Sequence, residues 1–361
     1  MKSKRIRVAL LFGGRSAEHE VSLVSAGAIY KNLDRNLYDI ISIYINKKGD
    51  WRIVSSPFLT QEILSQGLFS SFLPWTSLDP GQELEADIYF PVLHGPYGED
   101  GTVQGVLEMA DMPYVGAGVM SSAVGMDKVA MKALFVSKSL PVARSITLYE
   151  TEWLPRKTEW PGRIHSEFAF PFFVKPANLG SSVGITKVKN AGATADAHEF
   201  AFSYDRKILV EEGIAGREFE CSVLGNDKPR ASLPGEVIPF REFYDYEDKY
   251  LEGKTQFKIP ADLPADQTRE FQRLAVEAYR AVDCAGMARI DFFLETSTGR
   301  IYVNEINTIP GFTEISMYPK LWEVSGLPFP RLLDELIRLG FERHRSQKKN
   351  VERSCRENPG R

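Results

Sequence analysis

KPANLGSSVG, residues 175–184, sets a lysine at the end of the apolar stretch FPFFV (170–174) and follows it with a polar run of two glycines and two serines. A lysine at the end of a buried strand needs an anionic partner. A glycine-serine loop offers backbone N–H groups and hydroxyls without bulk, a composition that closes over a polyphosphate. The same composition also makes an ordinary turn, so its neighbours decide between the two.

Upstream, MDKVAMKALFVSKSLPVA (126–143) reads as a lysine-rich helix leading to Pro141, and TLYETEWLPRKTEWPGR (147–163) as a surface connection. Downstream, GITKVKN and KILVEEGI join FPFFVKP as apolar runs bounded by turns, a small sheet-rich unit covered by the helix of AHEFAFSYD. REFECSVLG, ASLPGEVIP, MARIDFFLE and RIYVNEINT add strands from residue 217 on, with DQTREFQRLAVEAYRAVDC an amphipathic helix among them and LWEVSGLPFPRLLDELIRLG a closing helix. At the N-terminal end, RVALLFGG (7–14) predicts a strand running into a glycine turn, VSLVSAGAIYKNL a helix, and YDIISIYINKKGDW and ADIYFPVLHG further strands. That alternation predicts an α/β unit with a mostly parallel sheet.

Bulk properties exclude several classes. A chain of 361 residues with net charge −4 and pI near 5.9 is long enough for two or three domains, and its charge suggests neither nucleic acid nor a membrane surface as partner. Cys221, Cys284 and Cys355 are odd in number and lack CxxC spacing, against a disulfide framework or a structural zinc. The first apolar run is too short for a signal peptide or membrane helix, so a cytoplasmic location is expected. FERHRSQKKNVERSCRENPGR (341–361) has no apolar period and reads as a solvated, frayed tail. No GxGxxG follows the first strand, and GKT at 253–255 has Asp248 where a Walker loop requires glycine.

Asp291 in ARIDFFLE and Glu305 in YVNEINT interrupt apolar strands near their ends, and Asn307 shares a strand face with Glu305. They are either surface charges or oxygen ligands for a hard cation such as Mg²⁺ on phosphates. Lys128 and Lys175 would then be phosphate ligands.

Taken in order, Lys128, VKP (174–176) with its serine-glycine loop, Glu211, Glu212, Glu218 and the D…NEIN pattern (291–307) resemble the ATP-grasp enzymes. FGGRSAEHEVSLVSA, LHGPYGEDGTVQG, GAGVMSSAVGMDK, KPANLGSSVG, YDYEDKY, ARIDFF and NEINTIPGFTEISMYP together are similar to the D-alanine:D-alanine ligase family, from about residue 7 to 338, with 151–168 and the basic tail outside the match.

The resemblance implies an α/β fold, α+β in parts, of the ATP-grasp type. Its expected domains are an N-terminal α/β domain (1–122), a small central domain (123–215) and a C-terminal catalytic domain (216–342), with ATP between the last two and a disordered tail from 343 to 361. It implies that ATP phosphorylates one D-alanine and that a second D-alanine displaces phosphate, giving the dipeptide used in peptidoglycan precursors. By resemblance, Glu18, Ser181 and Tyr250 form a triad at the first D-alanine, Arg289 and the Gly311 N–H an oxyanion hole, and Ser316 and Lys249 hold the second carboxylate, with His94 alongside. Lys128, Lys175, Ser181, Ser182, Glu211, Glu212, Ile214 and Glu218 would serve ATP, and Asp291, Glu305 and Asn307 would hold Mg²⁺, two ions with Mn²⁺ able to substitute. Each also has a plainer reading: Glu18 as a charge at a helix N-terminus, His94 as a loop hydrogen-bonder, Tyr250 as packing in a lid (244–257), Ser316 as a turn hydroxyl. A homodimer is expected. A D-alanine:D-lactate ligase or a non-catalytic nucleotide-binding module would share the fold. Tyr250, where lactate-using relatives carry a histidine, favours the dipeptide.

Overall fold

In a computed structural model of the chain, which describes residues 5–58, 68–69, 86–239 and 255–357, three sheets carry the molecule. The first is built from β1 (Ile6–Gly13), β2 (Tyr38–Ile45), β3 (Trp51–Val54), β4 (Leu68–Phe69) and β5 (Ile88–Val92) in the order β4-β3-β2-β1-β5. β1 pairs in parallel with β2 and β5, while β3 and β4 add antiparallel. Helices cover both faces of the parallel core, which explains why β1 and β5 are near-continuous apolar runs. They include α1 (His19–Asn32) and α2 (Thr102–Met109). The glycine pair has a steric cause: Gly13 sits at φ 93°, and a Cβ there would lie 2.2 Å from the Ile45 carbonyl oxygen.

Two short helices, α3 (Val119–Met126) and α4 (Lys128–Ser137), lead to the second sheet. It comprises β6 (Ser145–Tyr149), β7 (Phe172–Pro176), β8 (Thr186–Val188) and β9 (Lys207–Glu212), antiparallel in the order β6-β9-β7-β8. The surface connection expected over 147–163 is instead β6 running into α5 (Glu150–Trp153), followed by α6 (Trp160–Glu167). Trp153, Trp160 and Ile164 are buried in that sheet's core beside α7 (Thr194–Phe202), Trp153 stacked on His198 with ring centroids 4.5 Å apart. Helices of one and two turns, the second opened by Pro161, carry too little periodicity to be read as amphipathic.

The third sheet holds β10 (Gly216–Leu224), β11 (Arg230–Ala231), β12 (Gly235–Ile238), β13 (Gln256–Lys258), β14 (Met287–Glu295) and β15 (Ile301–Asn307). Its order is β13-β12-β10-β14-β15 with β11 on β10, and α8 (Ala265–Ala281) packs on it through Phe271, Leu274 and Ala278. The closing segment is two helices, α9 (Met317–Val324) and α10 (Phe329–Glu357), parted at Gly326 and Pro328.

α10 overturns the frayed-tail expectation, because residues 343–357 continue it as helix. Arg343 is buried, its guanidinium stacked 3.8 Å from the Tyr114 ring centre and donating to the Tyr114 hydroxyl. Leu332, Leu333, Leu336 and Ile337 share a core with Val8, Leu10 and Phe90, so the last helix covers the first sheet. Among the described residues, no helix is long and apolar enough to cross a membrane.

Candidate active site

The first sheet contributes one end of the site. Ser16 donates to the His94 carbonyl at 2.6 Å and accepts the Glu18 N–H at 3.2 Å, holding the residue before α1 against the end of β5. The Glu18 carboxylate accepts a hydrogen bond from Ser181 on the loop after β7, tying the first sheet to the second. There is room for it because a Cβ on Gly95 would lie only 3.0 Å from its Oε2. His94 is buried, and burial pushes its imidazole toward the neutral form against the pull of Glu18. Its Nδ1 lies 3.0 Å from the Ile309 carbonyl, which can only accept, so Nδ1 carries the proton and Nε2 accepts from Ser25 at 3.2 Å. Ser25 in turn accepts the Phe312 N–H at 3.2 Å, so His94 and Ser25 fix the loop that contains Gly311. Glu99 accepts the Gly95 N–H at 2.7 Å, and burial together with the neighbouring Glu18 charge pushes its carboxyl up to about 8.

The second sheet and α4 bring the lysines. Asp127 caps α4 by accepting the N–H groups of Val129 and Ala130, and it pairs with Lys207. Lys128, the first residue of the helix, donates to the Leu179 carbonyl at 2.6 Å and lies 3.8 Å from Glu305. Ser181 and Ser182 have φ of 51° and 59°, so the loop winds through left-handed backbone that its small residues tolerate. Lys175 meets Glu211 at 2.5 Å and Lys132 meets the other oxygen of that carboxylate at 2.6 Å. Burial would raise the Glu211 carboxyl, but the two ammonium groups outweigh it and hold it at about 2. Glu211 is thus a counter-ion in this structure, with its carboxylate directed to lysines. Glu212 accepts from the Arg144 backbone and guanidinium at 2.7 and 3.0 Å.

The third sheet supplies one charged face. Its register sets Glu220 opposite Asp291 and Asp291 opposite Glu305, a row of three carboxylates across β10, β14 and β15. Arg289 and Asn307 form the adjacent cross-strand pair. Arg289 clasps Asp291 through two bonds of 2.7 Å and lies 3.0 Å from Glu220, and Asn307 donates to Asp291 at 3.1 Å. Burial acts to lower the Arg289 pKa, but these carboxylates more than offset it, so the guanidinium stays charged. Among the described residues its Nη1 makes no hydrogen bond. Beyond β15, Ser316 accepts from the Thr313 N–H at 3.0 Å, and a Cβ on Gly311 would lie 2.7 Å from the Ser316 hydroxyl.

Two cavities lie among these groups. One of about 110 Å³ is walled by Glu18, His94, Glu99, Arg289, Gly311 and Ser316. The other, of about 320 Å³, is walled by Lys175, Ser182, Glu211, Ile214, Glu218 and Asp291. Lys128, Ser181, Glu220 and Glu305 line both, so the two spaces share a charged wall. Tyr250 and Lys249 lie outside the described residues. Glu99, Glu220 and Lys132 were not singled out in the sequence, where each reads as a lone charge. The cross-strand register reveals Glu220, and the four-residue spacing from Lys128 offered the only hint of Lys132.

Three sheets around a lysine- and carboxylate-lined cleft define an ATP-grasp protein. "D-ala D-ala ligase N-terminus" matches residues 7–117 and "D-ala D-ala ligase C-terminus" matches residues 134–338. A D-alanine–D-alanine ligase of Solibacter usitatus is 53% identical over 343 residues, 95% of this chain and 98% of that protein. One of Caldicellulosiruptor bescii is 46% identical over 360 residues, 97% and 99% of the two chains. The solved D-alanine–D-alanine ligase of Coxiella burnetii superposes with a TM-score of 0.87 at 39% identity, covering 99% of this chain and all of that one. The VanG D-Ala:D-Ser ligase of Enterococcus faecalis gives 0.81 at 36% identity, covering 93% of this chain and all of that one. The chain belongs to the D-alanine–D-alanine ligase family.

Proposed function

We propose that this chain joins two D-alanines into D-alanyl-D-alanine with ATP, through a D-alanyl phosphate, and so supplies peptidoglycan precursors. The observation that carries the reading is the shared wall: Lys128, Ser181 and Glu305 face both a small polar cavity and a larger one beside Lys175. A phosphoryl group leaving a nucleotide in the larger space has its acceptor in the smaller one. A carboxylate is a poor acyl donor until phosphorylation gives it a leaving group, and bringing two anions together needs fixed cations.

In this reading Glu18, hydrogen-bonded by Ser181, takes the ammonium of the first D-alanine. Arg289 turns Nη1 and Gly311 its N–H toward the oxyanion, and Ser316 with Lys249 receives the carboxylate of the second. Tyr250 completes the lid side. His94 acts by holding the Ile309–Phe312 loop. Lys128, Lys175, Ser181 and Ser182 serve the phosphates, and Glu212, Ile214 and Glu218 the nucleoside side of the larger cavity.

Asp291, Glu305 and Asn307 fit a hard divalent cation, Mg²⁺, with Mn²⁺ able to replace it. All three can offer oxygen from one sheet face, the donor type and placement a hard cation bound to phosphates takes. Two bound ions would neutralise phosphate charge. We further infer a homodimer located in the cytoplasm, and domains divided near residues 122 and 215. The test is whether phosphate release from MgATP depends on D-alanine, with the product identified by mass.

A further inference from the structure

Lys132 is a buried ammonium that the reaction outlined above does not use. It sits on α4 one turn beyond Lys128, on the same helix face, and reaches away from the small cavity to Glu211. Glu211 is itself 1% exposed and divides its carboxylate, Oε1 to Lys175 and Oε2 to Lys132. Lys132 Nζ and Glu211 Oε2 have no hydrogen bond of good angle, so they meet as an ion pair. Lys175 carries the directed bond to Oε1 and lines the large cavity. Two cations on one carboxylate is one more than neutrality requires.

We propose that Lys132 is a positioning residue for the nucleotide: it keeps Glu211 compensated, so that Lys175 can exchange this carboxylate for an anionic oxygen of the nucleotide. This rests on the reading of Lys175 as a phosphate ligand. With Lys132 absent, Lys175 becomes the sole counter-ion of a buried carboxylate, and leaving it strands that charge. Lys132 touches no substrate; its action runs entirely through Glu211.

That dependence defines the test. ADP with Mg²⁺ is titrated calorimetrically into the full chain, its Lys132→Met, Glu211→Gln and Lys175→Met variants, and the Lys132→Met/Glu211→Gln double variant, with thermal unfolding as the check on folding. Lys132→Met should weaken ADP by about tenfold or more and raise KM for ATP, with KM for D-alanine within about twofold. In the Glu211→Gln background the same change should alter ADP affinity by less than about twofold, because no buried charge remains to be compensated. Lys132→Gln, which keeps a polar head without the charge, is the second variant should Lys132→Met not fold, and should shift affinity in the same direction. Equal losses in both backgrounds, or none in either, would overturn the proposal. If Lys175→Met weakens ADP and Lys132→Met does not, this inference alone fails. If Lys175→Met is also neutral, the phosphate-ligand reading fails with it.

Discussion

Arg289 is held from two sides, bidentate on Asp291 and 3.0 Å from Glu220, so its remaining N–H groups are aimed before any substrate arrives. Removing such a preorganised donor typically costs about 10² or more in kcat, and Arg289→Met should show that loss with KM for ATP little changed. A rise in KM for ATP alone would assign Arg289 to the nucleotide. Glu305→Gln preserves shape but loses a negative ligand, so turnover should collapse while the thermal midpoint stays close to the parent's. Activity within a few-fold of the parent would remove Glu305 from the metal site. Glu99 makes a prediction about stability. Its folded carboxyl titrates near 8, above the ordinary carboxylate value, so between about pH 4.5 and 8 the unfolded chain has released a proton that the folded chain retains. Stability therefore falls as pH rises through that window, and Glu99→Gln should flatten the fall in thermal midpoint. Asp291, Glu305 and Asn307 were legible because strand alternation puts a polar residue in an apolar run on a known face. The counter-ion role of Glu211 could not be read, because its lysine partners come from α4 and β7, and pairing across elements leaves no local trace.

At the scale of elements, the cap of α4 joins stability to function. Asp127 accepts two backbone N–H groups and pairs with Lys207, while Lys128 begins the helix that the cap fixes. Asp127→Ala should cost about 1–2 kcal/mol, read as a lower denaturant midpoint at unchanged slope, and should raise KM for ATP more than KM for D-alanine. An unchanged KM for ATP would uncouple the cap from the site. Strands with strong alternation and the 17-residue α8 could be read from pattern alone. α5 and α6 could not, since burial of Trp153 and Trp160 depends on α7 and the sheet they pack against.

At the scale of the molecule, the site exists only where three sheets meet. Glu18 and Ser181 are 163 residues apart, and His94 reaches Ile309 across 215. No spacing rule predicts such contacts; the ordered motifs shared with the family set Glu18 and Ser181 in one triad and made the fold legible before its geometry, while the pairing of His94 with the Ile309 carbonyl left no trace in the sequence. α10 stabilises the assembly by covering the first sheet, with Arg343 set between Tyr114 and Glu108. Arg343→Met should lower the thermal midpoint while leaving kcat within about twofold, as removal of one buried charge partner outside the cavities should. The central claim is the identity of the product. With equimolar D-alanine and D-lactate, MgATP and pH from 6 to 9, mass analysis should find D-alanyl-D-alanine, depsipeptide at most in trace at neutral pH, and phosphate release that requires D-alanine. Phosphate release indifferent to D-alanine, or comparable depsipeptide at neutral pH, would contradict it.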